Sequence, residues 1–331
     1  MSVDKLKESI AEVLPEVDVV IAYKQGFDSL HAVPHFITKP EQVEEVIWNP
    51  LCVHNLATYL PTLNKKAAVV VKGCDSRAIV QYMQEELINR ENVVIIGIPC
   101  TGVIDVNKVL HEMNYPAASH GVWTRGAINY RPVKEVTFEN GSILIRTSEG
   151  QKKLLLSDLC PDKCKTCQYP TPLVYDHLVG EPVKTDKPPE SVDEEVREFE
   201  KKSIAERLAY WEKEFDRCIR CYACRNACPM CICRDKCIVE SRDPHLMSQK
   251  LTPGEKLMFH MIHSLHLTGR CIECGECDRA CPMGIPVSKL KKMINLGMKN
   301  RYGYIPGINP EDKSPLLVFS LKGENTEEQK P

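Results

Sequence analysis

Two segments near the C-terminus repeat the cysteine spacing C-x2-C-x2-C-x3-C-P. The first motif contains Cys218, Cys221, Cys224 and Cys228, and the second motif contains Cys271, Cys274, Cys277 and Cys281. In iron–sulfur proteins with this spacing, the first three thiolates hold one cluster and the fourth ligates the other cluster. We therefore predict two [4Fe–4S] clusters, which transfer electrons. Cys281 is expected to complete the cluster of the first motif, and Cys228 that of the second.

Zinc and disulfides are the alternative uses of these thiols. Structural zinc sites take four ligands in two pairs separated by a longer loop, whereas each motif packs four cysteines into 11 residues. The N-terminus lacks the basic stretch and apolar core of a secretory signal, which predicts a cytoplasmic protein. In that reducing compartment disulfides are rare, so thiols are available as metal ligands. The spacing favours iron–sulfur clusters over zinc.

A second group of thiols lies in the N-terminal half of the chain. Cys160, Cys164 and Cys167 form a C-x3-C-x2-C loop, which is one ligand short of a [4Fe–4S] site. Cys74 or Cys100 could supply the fourth ligand, because each follows a predicted strand. The loop therefore predicts a third cluster, with zinc as the alternative.

Three more cysteines extend the first motif: Cys231, Cys233 and Cys237. They are either small buried residues or the ligands of an additional metal site, which would make a fourth centre. Three histidines also recur at every third residue before the second motif: His260, His263 and His266. This spacing would place a metal-binding face on a helix, but surface positions or neighbours of a cluster are the more ordinary interpretation.

Strand-like and helix-like segments alternate around the N-terminal thiols. Residues 67–71 (AAVVV) and 93–98 (VVIIGI) are continuous apolar runs, typical of strands buried on both faces. An amphipathic segment at 76–89 lies between them, so together they predict a βαβ unit in a partly parallel sheet. Ligands bind beyond the carboxyl ends of such strands, often at helix N-termini. The candidate cofactor-binding residues there are Gly73, Asp75, Ser76, Thr101 and Gly102.

The remaining elements follow from periodicity and turn signals. Asn140-Gly141 predicts a β-hairpin, because this dipeptide readily forms the turn that joins two antiparallel strands. We also predict a strand at 17–22 and helices at 41–48, 103–113, 191–217 and 254–267.

The chain divides into an α/β domain at 1–180, a proline- and charge-rich linker at 181–190, a mainly α-helical two-cluster domain at 191–309, and a polar tail at 310–331. The net charge is −2 and aromatic residues make up 6% of the chain, which argues against nucleic acid as a partner. No window approaches the 18 apolar residues that a membrane span needs, so no direct membrane span is expected.

Three segments, VKGCDSRA, IIGIPCTG and LCPDKCKTC, resemble the beta-subunit family of coenzyme F420 hydrogenases and dehydrogenases over residues 65–180. The resemblance implies FAD, one [4Fe–4S] cluster, and electron transfer between a deazaflavin or related carrier and an iron–sulfur chain. The resemblance also implies that the ligands of a third cluster come from the five cysteines of the N-terminal half, which we call the N-terminal pool: Cys74, Cys100, Cys160, Cys164 and Cys167. After the cysteine loop the chain reads QYPTPLVYDHLVGEPV, where family members continue into a glycine-containing acidic segment, so the second half of the flavin domain is expected to be shortened.

Residues 208–307 resemble the α-helical ferredoxin domain of heterodisulfide reductase and succinate dehydrogenase iron–sulfur subunits, because 42 residues of helical composition separate the two motifs. The two resemblances together imply an electron-transfer subunit of an anaerobic oxidoreductase complex of formate dehydrogenase, hydrogenase or heterodisulfide reductase type. Its partners would be other redox subunits. The alternatives are a flavin-dependent deazaflavin or NAD(P)H oxidoreductase subunit and, more remotely, a zinc-stabilised scaffold. No G-x-G-x-x-G fingerprint supports direct NAD binding.

Overall fold

The computed structural model describes residues 3–113, 133–233, 237–240 and 247–318. The predicted tail lies outside the described residues from position 319 onward. Within the described ranges, no helix combines the length and the apolar character that crossing a membrane requires.

Strands in the described part form two sheets. The strands are β1 (Val19–Gln25), β2 (Ala32–Ile37), β3 (Ala67–Val71), β4 (Val93–Gly97), β5 (Glu135–Glu139), β6 (Ser142–Arg146), β7 (Gln151–Leu155) and β8 (His177–Leu178). The larger sheet has the order β2-β1-β3-β4-β8, in which β1, β3, β4 and β8 are parallel and β2 pairs antiparallel at one edge. The smaller sheet is an antiparallel meander, β5-β6-β7.

The helices alternate with these strands and then dominate the C-terminal part. The α-helices are α1 (Val3–Val13), α2 (Gly73–Gln84), α3 (Val106–Glu112), α4 (Leu156–Leu159), α5 (Asp162–Lys165), α6 (Ser191–Glu200), α7 (Ile204–Asp216), α8 (Ala223–Asn226), α9 (Pro253–Leu265), α10 (Glu276–Ala280) and α11 (Val287–Tyr302). Short 3₁₀ turns lie at Leu14–Glu16, Pro40–Glu45, Leu56–Thr62 and Arg90–Asn92. The fold is therefore an α/β unit followed by a mainly helical unit, as expected.

Strands β3 and β4 are buried on both faces because their side chains are apolar at nearly every position. Val70 and Ile96 face a core with Leu6 of α1, whereas Val69 faces a second core with Tyr82 of α2. The βαβ unit predicted from the sequence is present, and α1 and α2 cover opposite faces of its sheet.

Several element bounds differ from those predicted. Helix α2 begins at Gly73 rather than at residue 76, because the Asp75 side chain caps the backbone N–H of Lys72. The segment predicted as a helix at 41–48 is instead the 3₁₀ turn Pro40–Glu45. The hairpin is present at its predicted turn, with Asn140 and Gly141 at φ angles of 44° and 75°.

The helix predicted at 191–217 is two helices, α6 and α7. Ser203 interrupts it, because its hydroxyl accepts a hydrogen bond from the Glu206 backbone N–H and the Glu206 carboxylate caps Ser203 in return. Trp211 and Phe215 of α7 then pack against α9, where the ring of Phe215 stacks on His260 at a centroid distance of 4.1 Å.

The α/β unit and the helical unit share one hydrophobic core. Cys228, Met230 and Ile272 belong to the same buried cluster as Tyr82 of α2. The Tyr82 hydroxyl donates a hydrogen bond to the Pro229 carbonyl at 2.7 Å. Two further polar contacts join the two units. The Arg77 guanidinium donates a hydrogen bond to the Pro306 carbonyl at 2.8 Å, and the Arg270 guanidinium donates one to the Glu85 carboxylate at 2.6 Å. Helix α2 therefore fixes the first motif against the α/β sheet.

Candidate metal centres

The two motifs have the same backbone geometry. Arg220 and Glu273, each two residues after the first cysteine, have positive φ angles of 50° and 56°. Tyr222 and Gly275, each four residues after it, have φ angles of 61° and 65°. These left-handed positions curl each loop, so that cysteines separated by two residues can direct their thiols toward a common point. The first motif thus forces a tyrosine into a conformation that glycine adopts freely.

The thiols of the first motif have Cys281 of the second motif as an electrostatic neighbour. Cys218 and Cys224 are buried, whereas Cys221 is exposed. Burial raises the pKa of Cys224 to about 12, and repulsion from the thiolates of Cys281, Cys218 and Cys221 adds to the shift. Cys281 is likewise within electrostatic range of Cys218 and Cys221.

The remaining thiols of the second motif have Cys228 of the first motif as an electrostatic neighbour. Burial raises the pKa of Cys271 to about 12, and the pKa values of Cys274 and Cys277 are also raised by burial. The Cys228 thiolate adds to the increase at all three. Cys281 is thus an electrostatic neighbour of the first motif and Cys228 of the second, which is consistent with the two groups of four thiols in the crossed arrangement.

Lys291 of α11 lies within electrostatic range of thiols in both groups. Its side chain is only 2% exposed, and its Nζ has no hydrogen-bond partner among the described residues. Burial acts to lower the pKa of Lys291, but attraction to Cys277, Cys228 and Cys271 raises it well above its ordinary value. The same ammonium lowers the pKa of Cys224 in the other group. A buried cation without a partner is costly unless negative charge lies beside it, and thiolate-ligated clusters supply such charge. The donor set and this lysine therefore fit two anionic clusters.

Backbone N–H groups also donate hydrogen bonds to two sulfurs of the first group. The backbone N–H of Arg220 donates to Cys218 Sγ at 3.3 Å, and that of Ile285 donates to Cys281 Sγ at 3.4 Å. Such bonds stabilise negative charge on sulfur and tune cluster potentials.

The three additional cysteines occupy different environments. Cys231 lies beside Cys228, and its Sγ is 3.3 Å from Nε2 of the buried His263. Cys237 packs against the aromatic core around Trp211, and Cys233 is exposed. Among the residues that the structure describes, no three His, Cys, Asp or Glu side chains converge closely enough to hold a single metal ion.

The three histidines do not form a common face either. His260 is buried and stacks on Phe215, and burial lowers its pKa to about 3. His263 is buried beside Cys231, and His266 is exposed.

The N-terminal thiols surround a cavity of about 430 Å³ between the α/β sheet and the second motif. Its lining includes four thiols of the predicted pool, Cys74, Cys100, Cys164 and Cys167, and also Cys274. Cys160 lies next to it, because a Cβ built at the lining residue Gly102 would be 3.1 Å from Cys160 Sγ. The structure therefore brings the pool together where β3 and β4 end.

The cysteine loop is held through its backbone. Lys108 donates to the Cys160 carbonyl and Lys187 to the Cys164 carbonyl, both at 2.6 Å. On the opposite side, Gly73 allows close approach of the chain after the loop, because a Cβ at this position would lie 1.7 Å from the Tyr169 carbonyl oxygen.

The five predicted cofactor-binding residues separate into two groups. Gly73, Thr101 and Gly102 line the cavity. Asp75 and Ser76 are fully buried away from its lining. Asp75 pairs with Lys72 at 2.9 Å, and the Ser76 hydroxyl accepts a hydrogen bond from the Leu173 backbone N–H at 2.9 Å. Both therefore serve the fold of α2 in this structure.

Lys163, inside the cysteine loop, connects the N-terminal thiols to the second motif. Its Nζ donates to the Cys274 carbonyl at 2.6 Å and lies 3.4 Å from the Glu276 carboxylate. Burial acts to raise the pKa of Glu276, but Lys163 and Arg279 outweigh it and lower the pKa to about 2. Sequence reasoning did not identify Lys163, Glu276 or Lys291. A lysine directly before Cys164 was the only available signal, and it is a weak one.

Two known protein families match parts of this chain. Residues 64–231 match the family described as coenzyme F420 hydrogenase/dehydrogenase, C terminus of the beta subunit. Residues 214–285 match the 4Fe-4S dicluster domain. The match to the F420 family continues beyond residues 168–183, which follow the cysteine loop. It includes all four cysteines of the first motif.

Curated relatives extend over nearly the whole chain. An F420-dependent formate dehydrogenase subunit beta from Methanocaldococcus jannaschii is 28% identical over 92% of this chain and 90% of its own length. An F420-dependent formate dehydrogenase 1 subunit beta from Methanococcus maripaludis is 25% identical over 89% of this chain and 87% of its own.

Among solved structures, the F420-reducing [NiFe] hydrogenase complex from Methanosarcina barkeri contains a chain that matches 50% of this one and 58% of itself, at 15% identity and a TM-score of 0.36. The family match covers half of the chain, and the dicluster match includes both motifs. This chain is therefore a member of the coenzyme F420 hydrogenase/dehydrogenase beta subunit family, and it carries two [4Fe–4S] clusters in a dicluster domain.

Proposed function

We propose that this chain relays electrons within an anaerobic, multi-subunit oxidoreductase of the F420-dependent formate dehydrogenase type. The observation that carries the proposal is the continuity of the thiol groups. The N-terminal pool opens into the same cavity as Cys274, and Cys281 links the second motif to the first. A bound [4Fe–4S] cluster accepts and releases single electrons, and the chain's residues determine where each cluster lies and how much negative charge it tolerates. Because the thiol of Cys221 is exposed, the first cluster would be the one nearest to the surface and to a partner subunit.

A third cluster in the cavity is part of this proposal. Its ligands would come from Cys160, Cys164 and Cys167 of the loop, with Cys100 or Cys74 as the fourth. The ammonium of Lys163 lies within electrostatic range of Cys74, Cys164 and Cys274. It would therefore stabilise negative charge both at this cluster and at the cluster of the second motif.

The cavity also favours a second candidate function, that of a flavin-dependent deazaflavin or NAD(P)H oxidoreductase subunit. Its lining includes seven lysine or arginine side chains and three carboxylates, so it suits an anionic group such as a pyrophosphate. A flavin would convert a two-electron hydride transfer into single-electron steps.

Metal and flavin analysis of the full chain, purified without oxygen, distinguishes these functions. We expect about twelve irons per chain, from three clusters of four. Cys160→Ser combined with Cys164→Ser should reduce this number to about eight, because only the two motifs remain. Cys233→Ser, an exposed cysteine outside the pool, is the matched control and should keep all the iron.

An unchanged iron content in the double variant would contradict the third cluster. Stoichiometric flavin in a chain with only eight irons would favour the second candidate function instead.

A further inference from the structure

Cys231 is a spare thiol within reach of the second cluster. It follows Cys228 by three residues, and its backbone N–H donates to the Cys228 carbonyl at 3.1 Å. The two side chains lie in the same hydrophobic core. Cys228 is a ligand in the crossed arrangement, whereas the ferredoxin spacing assigns Cys231 no role.

The surroundings hold the Cys231 thiol in place. Its Sγ is 3.3 Å from Nε2 of His263, a ring that is 2% exposed. The Tyr82 hydroxyl fixes the chain between the two cysteines by donating to the Pro229 carbonyl at 2.7 Å. Cys231 therefore stays close to Cys228 because packing and hydrogen bonds on both sides restrict it.

An independent observation shows that this position suits a thiolate. The Nζ of Lys291 is buried without a hydrogen-bond partner in the described part of the chain, and it is attracted to both Cys228 and Cys231. The same cation could therefore compensate a negative sulfur at either residue. Exchanging one thiolate for the other would leave no buried charge unpaired.

We propose that Cys231 is a reserve ligand, which can replace Cys228 on the iron of the second cluster. In the exchange, the iron–Sγ bond to Cys228 breaks and an iron–Sγ bond to Cys231 forms. The thiol proton of Cys231 is transferred to the sulfur of Cys228, which leaves as a thiol. No electron is transferred, so the oxidation state of the cluster is unchanged. The proposal rests on the crossed ligand arrangement and is independent of any third cluster or flavin.

The first cluster provides a natural comparison, because no cysteine stands at the equivalent position after its fourth ligand, Cys281. The position three residues after Cys281 is Gly284, which has no side chain. Loss of Cys281 should therefore leave one iron without a protein ligand, whereas loss of Cys228 should not.

Alanine variants of the full chain test this difference by iron content and by electron paramagnetic resonance of the oxidised protein. We expect Cys228→Ala to keep eight irons in the two motifs and to show no three-iron signal. Cys281→Ala and the double variant Cys228→Ala with Cys231→Ala should each lose one iron and show that signal. A three-iron signal in Cys228→Ala, or a complete four-iron cluster in the double variant, would overturn the proposal.

Chelator challenge decides the question if Cys228→Ala does not fold. Cys231→Ala keeps all eight motif cysteines, so it should assemble both clusters. Without the reserve thiol, its second cluster should lose iron to a chelator several-fold faster than in the unmodified chain. An unchanged rate of loss would overturn the proposal.

Discussion

Replacing Cys281 with alanine is expected to convert the cluster of the first motif into a three-iron form, although Cys281 belongs to the second motif. The reason is the crossed arrangement, in which Cys281 lies within electrostatic range of Cys218, Cys221 and Cys224. The second cluster should keep its spectrum, because Cys228 still lies beside Cys271, Cys274 and Cys277. Iron analysis and low-temperature electron paramagnetic resonance measure both effects.

Cys224→Ala is the matched variant, because it removes a ligand of the same cluster from the other motif. The two variants should show the same altered signal and the same intact signal. If they damage different clusters, the crossed assignment is wrong.

Replacing Lys291 with methionine should lower the reduction potentials of both clusters. Methionine has a similar volume but no charge, so it removes the buried ammonium that lies within electrostatic range of both thiol groups. Adding an electron to an anionic cluster then becomes less favourable by about 2 kcal/mol, for charges separated by several ångströms at an effective dielectric constant near 20. This corresponds to a decrease on the order of 100 mV for a one-electron couple.

Lys213→Met is the control, because Lys213 lies on an exposed position of α7 where solvent screens its charge. Redox titration monitored by electron paramagnetic resonance gives the potentials of both variants. Unchanged potentials in a Lys291→Met protein that retains both clusters would show that this lysine does not act on them electrostatically.

The two [4Fe–4S] clusters could be predicted from the sequence because the cysteine spacing within each motif is local. Two-residue gaps allow three thiols of one loop to reach the same cluster, whereas the fourth ligand of each cluster is expected from the other motif. Lys291 could not be predicted in this way. It is one of several lysines in α11, and helical lysines are ordinarily exposed. Its burial follows from the packing of α11 against residues far away in sequence.

The same distinction between local pattern and tertiary packing explains which elements of the fold could be predicted. Strand β3 was predicted at its observed bounds because a run of apolar, mostly β-branched residues has few alternatives to a buried strand. Strand β8 has only two residues and no pattern of its own, and it forms because Gly97 of β4 offers backbone hydrogen bonds to that segment. The contact between α2 and the first motif also depends on tertiary packing, so no local pattern indicates it.

The N-terminal pool shows which spatial neighbours could be predicted from residue types alone. The sequence suggested that Cys74 and Cys100 lie near the cysteine loop, and the structure brings both to the cavity with Cys164 and Cys167. Proximity in sequence was a poorer guide for the three cysteines after the first motif. Cys231 and Cys237 are only six residues apart, but they pack in different cores.

The iron and acid-labile sulfide content of the anaerobically purified full chain tests the central claim most directly. At least eight irons and eight sulfides per chain are expected, since the two motifs hold two [4Fe–4S] clusters. The protein should be brown, with an absorption band near 400 nm that bleaches on reduction with dithionite. Four or fewer irons per chain after full reconstitution, or a colourless protein that contains zinc, would contradict the account.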